Sequence, residues 1–96
     1  MIKPTVGRVV WYHPSEGDSI VKYDDQPMAA TVAYVHSDRL VNLSVTDHGG
    51  GTQDRRSVQL VQGGDEYPGG AYCEWMPYQK GQAAKAEAAE AKLAGA

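Results

Sequence analysis

Residues that favour turns cut this sequence into short segments of β-branched and aromatic residues. In the clearest segment, residues 40–46, Val41, Leu43 and Val45 alternate with polar side chains. A period of two residues is typical of a strand with one buried face, because successive side chains point to opposite sides of a sheet. The chain therefore predicts a β protein built from short strands.

The first predicted strand covers residues 5–13, between two prolines. Val9 and Trp11 should share one face, and Arg8, Val10 and Tyr12 the other. Gly7 inside this segment indicates a bulge or a close backbone approach. The pattern places aromatic side chains on both faces of the strand.

Turn signals separate the other predicted elements. Ser37-Asp38 favours a tight turn, which predicts a hairpin between the second and third strands. Gly49–Gly51 predicts that residues 47–56 form an irregular, mobile loop. We further expect a long loop at 14–27 with an irregular hairpin at 19–23, and strands at 28–36, 40–46, 57–62 and 71–76.

The C-terminal segment has a different composition. Residues 80–94 contain seven Ala, which favours a helix, and Leu93 is their one large apolar residue. Without an apolar stripe this helix does not form a coiled coil. It is either a solvated helix or one that docks through its alanines on a neighbouring subunit. We therefore divide the chain into a β-barrel domain, residues 1–79, and a helical tail, residues 80–96.

The strand count and loop order predict an all-β fold. We expect a small five-stranded antiparallel SH3-like barrel, partly open, with an Ala-rich C-terminal helical tail. A five-stranded OB-like barrel and a meander sheet that dimerises remain alternatives. Each protects the strand edges by closure or pairing.

Composition argues against several partners. The 96 residues carry nine basic and twelve acidic side chains, a net charge of -3, with no basic stripe for duplex nucleic acid. Cys73 is the sole cysteine, so no internal disulfide or thiolate zinc cluster is expected. No segment approaches the ~20 apolar residues of a membrane span. We predict no cofactor and no membrane partner.

Fragments that suggest catalysis lack their required partners. His48-Gly49-Gly50-Gly51 resembles the oxyanion loop of lipases, which works only beside a Gly-x-Ser-x-Gly nucleophile turn that this sequence lacks. The three histidines, His13, His36 and His48, have no metal-site spacing. We therefore predict that the protein is not an enzyme and has no metal site.

Two features favour a binding site. An arginine pair follows the glycine-rich segment, and guanidinium groups bind phosphate oxygens strongly. The aromatic residues are two Trp and six Tyr without Phe, and rings at strand ends can stack on bases. We predict a small anionic nucleotide ligand, with Arg55 and Arg56 binding phosphate, Tyr12, Trp75 and Tyr78 stacking, and His13 as a polar contact.

Several segments resemble a widespread group of small phage-encoded proteins. Residues 3–12 share a Lys-Pro-Thr-Val-Gly-Arg-type opening, residues 30–35 an Ala-x-Val-x-x-Val strand, and residues 41–45 a Val-Asn-Leu-x-Val strand. Residues 74–77 match loosely a Trp-x-x-Pro-type ending and lack the basic residue that often follows. The resemblance spans roughly residues 3–78 and excludes the tail.

Some small phage β proteins are anti-defence sponges. They form symmetric oligomers and sequester cyclic nucleotide signals of host immunity. The resemblance implies a homo-oligomer in the host cytoplasm that binds its ligand between subunits. The alternative is a virion structural or adaptor protein that uses the barrel or the tail for protein contacts.

Overall fold

The structure is a computed structural model that describes residues 1–95, with side chains through Ala89. Ala96 and the side chain of Leu93, both part of the predicted tail, lie outside what it describes. The elements are β1 (Val9–His13), β2 (Met28–Ser37), β3 (Leu40–Thr46), β4 (Thr52–Val61), β5 (Tyr72–Glu74) and α1 (Pro77–Gly95).

The five strands form a closed barrel in the order β1-β2-β3-β4-β5. The prediction of five strands and a small barrel is confirmed, whereas two details were wrong. The barrel is closed rather than partly open, because β5 pairs with both β1 and β4. The sheet is not wholly antiparallel, because β5 runs parallel to β4. The connection at residues 62–71 is long enough to bring the chain back for this parallel pairing.

Alternate residues of the strands fill the barrel interior. In β1 the buried residues are Val10 and Tyr12, and their neighbours Val9 and Trp11 face outward. The predicted alternation of β3 is confirmed, with Val41, Leu43 and Val45 buried. The remaining core residues are Ile20, Met28, Ala30, Val32, Val58, Leu60, Cys73 and Trp75.

Strand β1 begins at Val9 rather than Thr5. Gly7 has a φ of 94°, and Arg8 N–H donates to the Thr5 carbonyl in a turn. Gly7 N–H also donates to the Val32 carbonyl at 2.8 Å. The positive φ is what favours glycine at this position, because no atom lies within 4 Å of where a Cβ would stand. The turn ends the regular strand there.

The predicted β2–β3 hairpin forms, with its turn at residues 38–39, one residue later than the predicted Ser37-Asp38. Strand β4 was predicted to begin at Ser57 and begins instead at Thr52. Residues 52–56 are polar, yet they pair in register with β3, for example Asp54 with Ser44. Backbone hydrogen bonds therefore extend the hairpin beyond the apolar core, which the pattern of side chains does not show.

The glycine-rich turn between β3 and β4 is organised by Asp47. Its Oδ1 accepts hydrogen bonds from the N–H groups of Gly49 at 3.0 Å and Gly51 at 2.9 Å. These bonds hold the pKa of Asp47 below its usual value. The irregular segment is thus five residues, 47–51, and has a defined conformation.

The helix begins three residues before the prediction, at Pro77. Proline is favoured at the first helical position because its missing N–H would have no helical partner there. Gln79 Oε1 accepts a hydrogen bond from Met76 N–H at 2.8 Å, which is half of a capping box. This cap also ends β5 at Glu74, two residues before the predicted Met76.

The helix leaves the barrel as a largely exposed rod. The molecule measures 52 × 28 × 25 Å, and a 19-residue helix accounts for ~28 Å of length. Its first turn is tied down because Gln79 Nε2 donates to the Val9 carbonyl at 2.9 Å. Within the described residues, no helix is long and apolar enough to span a membrane.

Candidate functional site

The six residues predicted to bind a ligand lie at separate places on the barrel. Tyr12 and Arg55 both donate hydrogen bonds to Asp18, and Trp75 is part of the core. His13 lies on the outer face where β1 meets β5. Arg56 and Tyr78 are exposed, on β4 and on the first turn of α1. The structure therefore does not assemble them into one cluster.

Tyr12 and Arg55 converge on Asp18 in the first loop. We call these three residues the Asp18 clasp. Tyr12 Oη donates to Asp18 Oδ2 at 2.6 Å, and Arg55 Nη2 donates to Asp18 Oδ1 at 2.5 Å. Ile20 N–H also donates to Oδ1, at 2.9 Å. Both carboxylate oxygens are thus occupied, and the clasp fastens the first loop to β4.

The clasp shifts the ionisation of its members. The hydrogen bond from Arg55 is the largest cause that lowers the pKa of Asp18, to about 2. Burial, reinforced by the Asp18 carboxylate, raises the pKa of Tyr12 to about 12. At neutral pH the clasp therefore holds an ionised carboxylate, a charged guanidinium and a neutral phenol. Arg55 could bind a phosphate only by leaving Asp18, which is 6% exposed and would lose its cation.

Arg56 points the other way from its neighbour. Its side chain is 84% exposed and lies 3.9 Å from Asp54, a loose surface pair. Successive residues of a strand face opposite sides of the sheet, so the two arginines cannot form the joint phosphate site that their adjacency suggested. Arg56 is the member of the pair that a ligand can reach.

Two of the predicted stacking rings are inside the barrel. Trp75 and Tyr12 are each 1% exposed, so neither has a ring face free to stack on a base. Arg8 lies over the Trp75 ring, 6.0 Å from its centroid. The predicted stacking role of Trp75 and Tyr12 is therefore wrong. Both are buried because a barrel of this size fills its interior with large side chains.

A different set of rings is assembled on the outer face. His13 stacks on Tyr72 with centroids 4.5 Å apart and planes inclined by 15°. Tyr72 in turn contacts Tyr67, with centroids 5.2 Å apart and a tilt of 49°. We call His13, Tyr72 and Tyr67 the aromatic column. The pairing of His13 with Tyr72 across β1 and β5 fixes its inner part, while Tyr67, in the preceding loop, is 60% exposed at its open end.

Charged groups surround the inner end of the aromatic column. Glu74 Oε2 lies 2.7 Å from His13 Nε2, but neither ring nitrogen makes a well-aligned hydrogen bond, so this is a close polar contact. Lys80 Nζ donates to the other Glu74 oxygen at 3.3 Å. Burial, aided by the charge of Lys22, lowers the pKa of His13 and outweighs the opposing effect of Glu74. The lowered pKa favours the neutral imidazole over the charged form.

Tyr78 lies far from the aromatic column. It is 73% exposed on the helix turn whose Gln79 contacts the Val9 end of β1, whereas His13 is at the opposite end of that strand. Among the described residues no ring contact joins Tyr78 to His13, Tyr72 or Tyr67. Tyr78 is therefore not part of the column.

Sequence reasoning missed Asp18, Tyr67 and Tyr72. The Tyr-rich, Phe-free composition was the available signal for the two tyrosines, since phenol rings suit half-exposed positions. Asp18 was hidden in a polar loop, and only its distance in space from Arg55 reveals it. Within the residues that the structure describes, no group of three or more His, Cys, Asp and Glu side chains is placed to hold a metal ion.

Comparison with known proteins leaves the site to be interpreted on its own geometry. No protein-family model, no curated protein and no solved structure matches this chain.

Proposed function

We propose that this chain is a non-enzymatic binding protein that sequesters a small nucleotide-like ligand. The base would stack on Tyr67 and extend the aromatic column. The observation that carries the proposal is the column itself, a fixed row of rings that ends in an exposed one. Base–aromatic stacking contributes ~1–3 kcal/mol per base and tolerates any base.

The phosphate contact is the second element of the proposal. Arg56 is the exposed guanidinium of the Arg55-Arg56 pair, and among the described residues no hydrogen bond, ion pair or ring contact joins it to the aromatic column. On this proposal a second copy of the chain brings its Arg56 to the column. The protein is then a homo-oligomer that binds its ligand between subunits.

The closed five-stranded barrel also supports a finer description. We assign it to the SH3-like type, on the order of its long first connection, tight β2–β3 turn and short β5. With the phage-protein resemblance of residues 3–78, this favours an anti-defence sponge that acts in the host cytoplasm. Duplex nucleic acid is not its partner on this proposal, since the net charge is negative.

The test is a thermal-shift panel of cyclic di- and trinucleotides. We expect one class to raise the melting temperature, because a ligand that binds the folded state stabilises it. Tyr67→Ala should abolish the shift without lowering the melting temperature of the free protein. Tyr34→Ala, which removes another exposed tyrosine, is the matched control and should retain the shift.

Two outcomes would overturn the proposal. One is the absence of any shift across the panel. The other is a shift that survives Tyr67→Ala and Arg56→Ala unchanged, because ligand would then bind elsewhere. Light scattering supplies the oligomeric state, and a strict monomer would contradict a site shared between subunits.

The exposed rod of α1 favours one second candidate, a virion adaptor. The helix extends away from the barrel, and its described side chains from Gly81 onward are mostly exposed. In this case, deleting residues 81–96 should release the protein from purified phage particles. The deletion keeps Gln79 and Lys80, so the contacts to Val9 and Glu74 remain. Failure to co-sediment with particles in the full-length form would exclude this candidate.

A further inference from the structure

A cavity of about 330 Å³ lies at one end of the barrel, apart from the aromatic column. It is bounded by the end of the first loop, with Tyr23 and Asp24, and by the β3–β4 turn, with Asp47 and His48. Met28, which is 4% exposed, belongs to the core and forms part of its apolar lining. We call this space the acidic cavity.

Among the described residues, carboxylates line the acidic cavity without a permanently charged cation beside them. Its described lining includes two carboxylates, Asp24 and Asp47, and neither Lys nor Arg. Asp47 is held in place by the hydrogen bonds from Gly49 and Gly51 to Oδ1, whereas Oδ2 has one long contact, 3.5 Å from Gln53 Nε2. An oxygen with unused acceptor capacity therefore remains on a fixed carboxylate.

Two rings meet at the same cavity. The centroids of Tyr23 and His48 are 3.9 Å apart with a tilt of 36°. This contact joins the two loops that bound the cavity. An aromatic face next to carboxylates attracts organic cations, through the ring quadrupole and through direct charge.

The turn that contains Asp24 has two residues with an unfavourable, positive φ angle. Gln26 N–H donates to the Tyr23 carbonyl at 3.0 Å, and the two residues between them, Asp24 and Asp25, have φ values of 51° and 59°. A turn with two positive φ angles favours Asn-Gly, because glycine adopts such angles without steric cost. Asp24 and Asp25 therefore hold a backbone conformation that glycine adopts at lower cost.

We propose that the acidic cavity is a binding site for an organic cation, an ammonium or guanidinium group on an apolar stem. The stem would contact Met28 and the cavity rings, and the charged group would reach Asp24 and the Oδ2 atom of Asp47, whose one contact is long. The volume is sufficient for a group the size of an arginine side chain. An anionic nucleotide is disfavoured here, so this site is distinct from the aromatic column and does not depend on it.

The probe is Nα-acetyl-arginine amide, titrated into ¹⁵N-labelled protein and followed by NMR. Nα-acetyl-citrulline amide has nearly the same shape without the charge and is the ligand control. We expect shifts at Tyr23, Asp24 and His48 with the arginine compound and at least fivefold weaker binding of the citrulline compound. Rising salt should weaken the arginine compound alone, because salt screens charge.

Two variants distinguish the charge of Asp24 from the shape of its turn. Asp24→Asn keeps a residue that tolerates positive φ, and it should weaken binding about fivefold by removing one charge contact. Asp25→Asn is the matched control, because Asp25 has the same backbone conformation, is 98% exposed and does not line the cavity. It should bind as the native protein does.

The source of the cation is tested with agmatine, which carries the guanidinium and a free ammonium group in place of backbone amides. Tighter binding of agmatine identifies a free amine as the ligand, and tighter binding of the acetyl-arginine amide identifies an arginine side chain. Equal binding of the citrulline compound, unchanged binding by Asp24→Asn, or no shift at millimolar probe would overturn the proposal. Tyr67→Ala should leave this binding intact, so failure of the nucleotide site is distinguishable from failure of the cation site.

Discussion

The first loop, residues 14–27, holds two aspartates in opposite circumstances. Asp18 near its start is 6% exposed, and its oxygens accept hydrogen bonds from Tyr12, Arg55 and Ile20. Asp24 near its end has a positive φ and lies at the rim of a cavity. Both carboxylate oxygens of Asp18 already accept hydrogen bonds within the fold. Asp24 adopts an unfavourable backbone conformation, and its carboxylate can accept further hydrogen bonds.

This difference separates a group that stabilises the barrel from one available for binding. Breaking a buried, hydrogen-bonded ion pair is strongly destabilising, because the remaining charge loses its partner. Replacing a residue with a strained backbone conformation has the opposite effect on stability, because it relieves the strain. Replacing the aspartate should therefore destabilise the fold at Asp18 and stabilise it at Asp24.

The largest effect should come from Arg55→Ala. It removes the cation from Asp18, and we expect a loss of about 2–3 kcal/mol in the free energy of unfolding. Urea unfolding measures it, with Arg56→Ala as the matched control, because the neighbouring surface arginine should change stability by under ~0.5 kcal/mol. Equal effects of the two substitutions would contradict the distinction between clasp and surface arginine.

Low pH should also lower the free energy of unfolding, because it protonates Asp18. The pKa of Asp18 is about 2 in the folded protein against 3.8 for an ordinary carboxyl, so folding favours the ionised form. This contribution, about 2 kcal/mol, is fully present above pH 3.8 and is lost as the pH falls through 2. Unfolding curves between pH 6 and pH 2 (on the order of four points) compare the native protein with Asp18→Asn, whose stability should fall less. Parallel curves for the two proteins would show that Asp18 is not the group responsible.

The smallest effect should have the opposite sign. Asp24→Gly places glycine at a φ of 51°, and we expect stabilisation of about 0.5–1 kcal/mol from relief of strain. The change is read from the urea midpoint at constant slope. A loss of stability would show that the larger unfolded-state entropy of glycine outweighs the strain.

The strands that could be predicted were those whose side chains alternate. Residues 40–46 match β3 because half of them enter the core. Residues 52–56 of β4 could not be assigned, because they extend past the core and are held by backbone pairing with β3. Closure of the barrel was likewise not predictable, since the parallel entry of β5 depends on the path of residues 62–71 and leaves no local pattern.

The candidate sites were less predictable than the fold. His13 was identified by its position at a strand end, but its partner Tyr72 is distant in sequence and adjacent only across the β1–β5 pairing. Arg55 and Arg56 are identical in sequence terms, and only strand direction and the position of Asp18 distinguish them. The sequence also did not show which aromatic rings are buried, because Trp and Tyr occur both in barrel interiors and on binding surfaces.

The short β5 strand also governs when the aromatic column can form. Its three residues pair with β1, near the opposite end of the barrel sequence, so this seam requires the largest loop closure of the sheet. Closing a loop of this length costs more conformational entropy than forming the β2–β3 or β3–β4 hairpin. Because His13 and Tyr72 contribute from opposite sides of the seam, a nascent chain that ends before residue 72 lacks one wall of the aromatic column. The column therefore cannot assemble until β5 has been synthesised and has joined the sheet.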